Sequence, residues 1–272
     1  MKITLKDGWI AAFGDVHGAW DAMYAYCQYA ATASRPSTPI AVGLVLQCGD
    51  IGLFSRDSIL DKATSRFAMR DPTELGAVDF LDGSRPIPIP TLFVRGNHED
   101  FSLLPPSGHG PVGKATGRYH IYGALVQIQV AGRSITIAGV GGITRHSRRY
   151  SDEMDEATSP ARYITRFEVE ALQSLRPGSV DILIAHDGPA GYALRRAPDA
   201  GSRVLLGLIH HLQPKLFLHG HYHDPPDPLR IGRTLCVCLN HPRSWRLPNR
   251  EGGMALINPE TLELEWPVPV SA

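Results

Sequence analysis

The chain has 272 residues, enough for one large domain or two small ones with a substantial core. Lys plus Arg and Asp plus Glu both number 27, which excludes a global polyanion-binding field and confines any nucleic-acid contact to a local surface. The four cysteines, Cys27, Cys48, Cys236 and Cys238, form no Cys-x-x-Cys pair, residues 1–7 carry no apolar stretch of signal-peptide length, and no run reaches transmembrane length. These features predict reduced, buried thiols, no membrane partner and a soluble, cytoplasmic protein.

Trp9-Ile10-Ala11-Ala12-Phe13 reads as a short buried strand. It runs into Gly14-Asp15-Val16-His17-Gly18, where the glycines permit a sharp turn and a carboxylate and an imidazole project from the strand's carboxyl end. Open α/β sheets bind ligands at that end. Residues 20–33 carry Ala, Met, Tyr and Cys at helical spacing and close at Ser34-Arg35-Pro36-Ser37. The continuous apolar run at 40–46 predicts a strand covered on both faces, leading into Gly49-Asp50. Residues 54–90 are polar and Pro/Gly-containing, and predict only a helix near 58–69 and a long surface excursion. Thr91-Leu92-Phe93-Val94 is a third strand, followed by Arg95-Gly96-Asn97-His98-Glu99.

Residues 105–117 form a Gly/Pro-rich loop, and 119–130 with 134–140 read as antiparallel strands around Ala131-Gly132-Arg133. A charged segment, 144–161, follows Gly141-Gly142. Residues 166–175 predict an amphipathic helix closed by Pro177-Gly178, and 180–185 a buried strand that delivers His186. A helix at 204–212 precedes a strand at 215–218 that delivers Gly220-His221-Tyr222-His223. Further antiparallel strands are expected at 229–240, turning at Gly232-Arg233, and at 254–257 and 262–264. With no repeat, low-complexity tract or linker, one domain spanning 1–272 is expected.

The chemistry lies in where these runs end. Five strand-like runs each finish in a possible metal ligand: Asp15 and His17, then Asp50, Asn97, His186, and His221 with His223. Packed side by side, such strands bring their carboxyl ends to one edge. Carboxylate, imidazole and amide oxygen form the mixed set suited to Mn, Fe or Zn, rather than to calcium or thiolate-bound zinc. The set is too large for one ion and one ligand short for two four-coordinate ions, so a carboxylate shared between the ions, with Asp50 the natural candidate, completes it. Two divalent ions roughly 3.5–4 Å apart can clamp a phosphate and hold a nucleophilic hydroxide.

Taken together, Gly14–Gly18, Gly49-Asp50, Gly96-Asn97-His98-Glu99, His186 and Gly220-His221-Tyr222-His223 resemble the ordered motif set of the calcineurin-like metallophosphoesterases. The resemblance implies a four-layer α/β/β/α sandwich and a dinuclear centre. By matched motif, Asp15, His17, Asp50 and His223 would hold one metal, and Asp50, Asn97, His186 and His221 the other. His98 would approach the phosphate, stabilise its developing charge and help protonate the leaving oxygen, a task suited to imidazole at neutral pH. Ile51-Gly52-Leu53-Phe54 departs from the Val-Asp-Arg-Gly-like stretch of the serine/threonine protein phosphatase branch. A weaker likeness, through Gly139–Ile143, Arg162–Glu168 and Ala185–Pro189, is to the RNA lariat-debranching branch, in which a Cys stands at the position of Asp15.

The expected activity is therefore metal-dependent hydrolysis of phosphate esters by a metal-bound hydroxide, leaning to phosphodiester, nucleotide or nucleic-acid substrates. The alternatives are a phosphomonoesterase of small metabolites or phosphoproteins and a non-catalytic scaffold. Arg145, His146, Arg148 and Arg149 are the one dense basic cluster, read either as substrate-phosphate ligands or as a solvated loop. Tyr163 and Arg166 could meet a nucleotide or pack a helix start. Glu99 and Asp187 follow functional histidines and are placed to support them. His109, His120, His210, His211 and His241 carry no ligand pattern and read as structural.

Overall fold

Alternation along the buried strands decides the architecture. A computed structural model of the chain describes residues 2–5, 8–33, 40–60, 62–105, 110–112, 118–120, 125–130, 132–144, 161–191, 200–223, 227–241 and 253–266. Sheet I has the order β1 (Lys2–Thr4), β7 (Leu125–Val130), β8 (Arg133–Val140), β9 (Ile182–Ala185), β10 (Leu216–His219), β12 (Thr234–Cys238), β11 (Leu229–Ile231). Sheet II has the order β14 (Leu264–Glu265), β13 (Met254–Ile257), β2 (Trp9–Phe13), β3 (Val42–Gln47), β4 (Thr91–Phe93), β6 (Arg118–His120), β5 (Gly110–Pro111).

Successive side chains on a strand point to opposite faces, so each central strand feeds two cores. Ile10 and Ala12 of β2 join Leu44 and Leu46 of β3, and these meet Ile135, Ile137, Ile182, Ile184 and Leu218 of sheet I in a core between the sheets. The alternate residues, Ala11, Phe13, Val45 and Phe93, pack against α1 (Trp20–Ala33) through Trp20, Met23, Tyr24 and Cys27, with Phe80 and Leu81 of α3 (Val78–Leu81). On sheet I the same alternation turns Ala138, Leu183 and Phe217 toward α4 (Arg166–Gln173) and α5 (Arg203–Leu212). Helices thus back each sheet on the face turned away from the other. The α5 contacts, Leu205, Leu208, Ile209 and Leu212, follow helical spacing. Thr165 and Glu168 close a capping box that starts α4.

Within each sheet the strands that matter run the same way. β2, β3 and β4 are mutually parallel in sheet II, and β8, β9, β10 and β12 in sheet I. The carboxyl ends that bear the proposed ligands therefore come from two sheets, not from one sheet edge.

Other sequence expectations are corrected in detail. The run at 119–130 is divided: β6 pairs parallel with β4 in sheet II, whereas β7 forms a hairpin with β8 in sheet I. The excursion at 54–90 contains α2 (Lys62–Arg70), a 3-10 turn at Pro72–Leu75 and α3, and it buries Glu74, Ala77, Phe80 and Leu81. β1, too short to signal itself, pairs with β7.

All four cysteines are buried thiols. Burial pushes Cys27 and Cys236 up to about 12, and Cys48 well above its ordinary value with the Asp15 charge adding to the effect. A disulfide-exchange thiol reagent at pH 8 should accordingly find almost no thiolate in the native protein. Prompt titration is expected to give no equivalents, and titration after denaturation four.

Candidate metal centre

The ligand loops are held by one another. Asp50 is buried at the end of β3, and its Oδ1 accepts hydrogen bonds from the backbone N–H groups of Asn97 (2.7 Å) and His98 (2.8 Å). That leaves Oδ2 between two imidazoles, 3.8 Å from His17 Nε2 and 3.4 Å from His186 Nε2. Asp15, fully buried, uses Oδ2 to accept the His221 N–H at 2.7 Å. Its Oδ1 lies 3.3 Å from His223 Nε2, the contact through which that imidazole meets the carboxylate. A Cβ at Gly96 would stand 2.0 Å from Asp50 Oδ1, and one at Gly220 2.5 Å from Asp15 Oδ2, so only glycine admits these approaches.

Buried polar groups behind the loops fix them further. Gln47 donates from Nε2 to the carbonyls of Gly14 (2.7 Å) and Gly49 (2.5 Å), tying the ends of β2 and β3. Glu99 accepts the N–H groups of Ile51 (2.9 Å) and Leu53 (2.6 Å). Burial and the nearby Asp50 charge push Glu99 up to about 8, against the pull of those donors. Asp187 accepts from Thr144 N–H and from the Tyr222 hydroxyl (2.5 Å), locking Tyr222 between His219 and His221. Glu99 thus braces the loop after β3, and Asp187 braces Tyr222 and the backbone at Thr144.

Arg95 is the deepest tie. It is 1% exposed and forms a two-pronged pair with Glu168 at 2.7 and 2.8 Å, while donating to the carbonyls of Ala161 and Tyr163. Glu168 in turn accepts Gly141 N–H and both Thr165 donors. The loop after β4 in sheet II is thereby joined to the end of β8 and the start of α4 beside sheet I.

The donor set fits divalent cations. His186 Nδ1 lies 2.9 Å from the Cys48 carbonyl, and donation there leaves Nε2 as a lone pair 3.0 Å from Asn97 Oδ1. His17 Nε2 and His223 Nε2 approach to 3.4 Å. Lone pairs this close repel unless a proton or a cation lies between them. Two groups bring their donor atoms within 4.8 Å of one another: Asp15, His17 and His223, and Asp15, Asp50 and His186. Asp15 belongs to both, a wider reach than the motif assignment gives it. Four imidazoles, two carboxylates and an amide oxygen are the donors of a borderline divalent ion.

Without metal, protons play the cation's part. Burial works to raise Asp15, but the hydrogen bond from His223 and the charges of His186 and His223 hold it at about 2. Burial likewise opposes ionisation of Asp50, yet His186 and His17 keep it well below its ordinary value. Burial would depress His186, but Asp50 and Asp15 push it up to about 10. The hydrogen bond to Asp15 raises His223, whereas burial lowers His17 and His221.

Above these groups is a cavity of about 330 Å³ lined by His17, Asp50, Asn97, His98, His221 and His223 together with Phe67, Glu74 and His241. Asp15 and His186 lie beneath, fully buried. The structure therefore gathers all seven sequence-proposed ligands and His98 around one pocket. Arg145, His146, Arg148 and Arg149 lie outside the described residues. Tyr163 and Arg166 do not line the cavity, and the Tyr163 carbonyl serves Arg95 instead. His211, on α5, contacts the Leu175 carbonyl.

Three lining residues escaped the sequence reading. His241 is corrected from a structural residue: its ring stacks on His17 at 5.4 Å and 11°. The signal was available, since the apolar run of β12 lies parallel to β10 and ends at the same edge, delivering Asn240-His241. Glu74, with Oε2 3.6 Å from His17 Nδ1, and Phe67 come from the segment whose pattern was illegible.

Buried strand ends thus present carboxylates, imidazoles and an amide to one pocket, a donor set suited to divalent ions. The family model described as calcineurin-like phosphoesterase matches residues 8–225, and the chain belongs to that family. It is similar to the lariat debranching enzyme of Arabidopsis thaliana, 26% identical over 237 residues, covering 79% of this chain and 54% of that protein. Against the lariat debranching enzyme of Entamoeba histolytica it is 25% identical over 240 residues, covering 79% and 63%. The chain thus spans about half to two thirds of the length of these relatives. The crystal structure of TT1561 of Thermus thermophilus shares the fold, with a TM-score of 0.52 at 15% identity, covering 96% of this chain and 98% of that one. No helix among the described residues is long and apolar enough to cross a membrane.

Two measurements test this construction. Replacing Arg95 with leucine leaves the Glu168 carboxylate buried without its counter-charge. The loss is expected to be about 3–5 kcal/mol in urea unfolding. Mn²⁺ at about a hundred times its dissociation constant should stabilise the metal-free protein by about 2.7 kcal/mol, seen as a rise in melting temperature. Asp15→Asn should abolish most of that rise.

Proposed function

We propose that the protein is a dinuclear phosphodiesterase acting on nucleotide or nucleic-acid phosphodiesters, with Asp15, His17, Asp50 and His223 holding one ion and Asp50, Asn97, His186 and His221 the other. The observation that carries this reading is the placement of Asp50 Oδ2 between His17 Nε2 and His186 Nε2, as a carboxylate shared by two ions requires. Mn, Fe and Zn all suit the donors. The lariat debranching likeness and the departure from the protein-phosphatase stretch after Asp50 favour a diester. Residues 1–272 act in this reading as one catalytic unit, because both sheets supply strand ends to the same pocket.

Divalent cations, when bound, supply the Lewis acidity that polarises a phosphoryl group and activates water. The chain supplies position and protons. Asp50 Oδ1 grips the backbone of Asn97 and His98, and the same cavity that receives the ligand imidazoles receives His98. Its ring lies 6.1 Å from that of His17, beside the centre rather than within it. From there His98 can donate to a phosphoryl oxygen as charge develops and return a proton to the leaving oxygen. Glu74, placed against His17 Nδ1, fixes the orientation of that ring.

Protein reloaded with Mn²⁺ is expected to hydrolyse bis-p-nitrophenyl phosphate in preference to p-nitrophenyl phosphate and to hold about two ions per chain by elemental analysis. His98→Gln should keep the metal and lose about 10²–10⁴-fold in kcat. Full activity in Asp50→Asn would overturn the mechanism, and strong preference for the monoester would reassign the substrate.

A further inference from the structure

The pocket does not end at the metal ligands. Its outer wall includes Phe67, carried by α2 and 48% exposed. The large hydrophobic side chains exposed among the described residues are Ile59, Phe67, Met69 and Phe167, and of these Phe67 alone lines the pocket. Phe67 therefore offers an aromatic face half in water at the edge of a charged site, while α2 buries Thr64 on its inner side.

The same helix carries a regular row of cations. Lys62, Arg66 and Arg70 stand four residues apart and are exposed. Four-residue spacing puts them on one face of the helix, about 6 Å apart along its axis. None of the three pairs with a carboxylate among the described residues. Phe67 lies on the flank of this row, three residues from Arg70. In a chain whose formal net charge is zero, this row gives the helix that carries Phe67 a local excess of positive charge.

We infer that α2 is a binding surface for single-stranded nucleic acid, in which Lys62, Arg66 and Arg70 follow successive phosphates and Phe67 stacks a base next to the scissile linkage. The inference rests on the proposed phosphodiesterase reading and narrows it from small diesters to a polynucleotide strand. Cations at regular intervals beside an aromatic platform are how sequence-tolerant single-strand binders combine backbone attraction with stacking. A sugar phosphate would leave both Phe67 and the cationic row unused. A membrane surface would need Phe67 to point outward, whereas it faces the cavity that holds His98 and His223.

The test uses full-length protein reloaded with Mn²⁺ and two readouts. The first is fluorescence anisotropy of a labelled single-stranded RNA with phosphorothioate linkages. The triple variant Lys62→Gln, Arg66→Gln, Arg70→Gln is expected to bind about tenfold more weakly, and its slope of log affinity against log salt should fall by about 2. Phe67→Ala should weaken binding by about tenfold without changing that slope, and Phe67→Trp should restore it. The second readout is kcat/KM on an unmodified oligonucleotide relative to bis-p-nitrophenyl phosphate, a ratio expected to fall in the triple variant by the same factor. Equal loss on both substrates, unchanged anisotropy, or binding to anionic lipid vesicles in place of the oligonucleotide would each overturn the inference. If reloaded wild type binds the oligonucleotide through these residues but cleaves neither substrate, the function reading fails while the binding surface stands.

Discussion

Two buried carboxylates cannot face the same cavity without donors to hold them, and the site is organised around how Asp15 and Asp50 divide their oxygens. Each gives one oxygen to backbone N–H groups of a loop from another strand: Asp50 to Asn97 and His98, Asp15 to His221. The other oxygen is left for the imidazoles and for a cation. A carboxylate removed from water is tolerable only when such donors and opposite charges surround it. One side of each carboxylate therefore positions a loop, and the other faces the imidazoles. The glycines at 96 and 220 are required by the first side, since a side-chain carbon there would occupy the carboxylate's space.

Because Asp15 and Asp50 come from sheet II and the loop around His221 from sheet I, the contacts that assemble the site also set how the two sheets meet. Arg95 and Glu168 extend this logic away from the pocket, joining the loop after β4 to the start of α4. Gln47 and Glu99 hold the sheet II loops to one another, and Asp187 with Tyr222 steadies the sheet I side. The inter-sheet core is aliphatic and directionless; these polar ties supply the register that it lacks.

What was legible in the sequence follows from this arrangement. β2 and α1 could be bounded to the residue, because a continuous apolar run and a helical repeat carry their own periodicity. The proposed ligands could be brought together on paper because each follows such a run. β1 and β6, of three residues each, are strands only because a neighbour pairs with them. Glu74 was hidden because it lies on a short 3-10 turn whose place beside His17 is set wholly by tertiary packing. His241 was missed for another reason: the hairpin of β11 and β12 was visible, but not that β12 would pair parallel with β10 and share its edge.

The backbone at the site carries a further meaning. Among the described non-glycine residues, positive φ occurs at His17, Asp50, Gln213, His221, His223 and Leu262, and four of these six are proposed ligands. A left-handed conformation costs an ordinary residue roughly 1–2 kcal/mol, and glycine would relieve it at every one of the four. The strain is concentrated where the proposed chemistry lies, so the backbone gives up stability for the placement of these side chains.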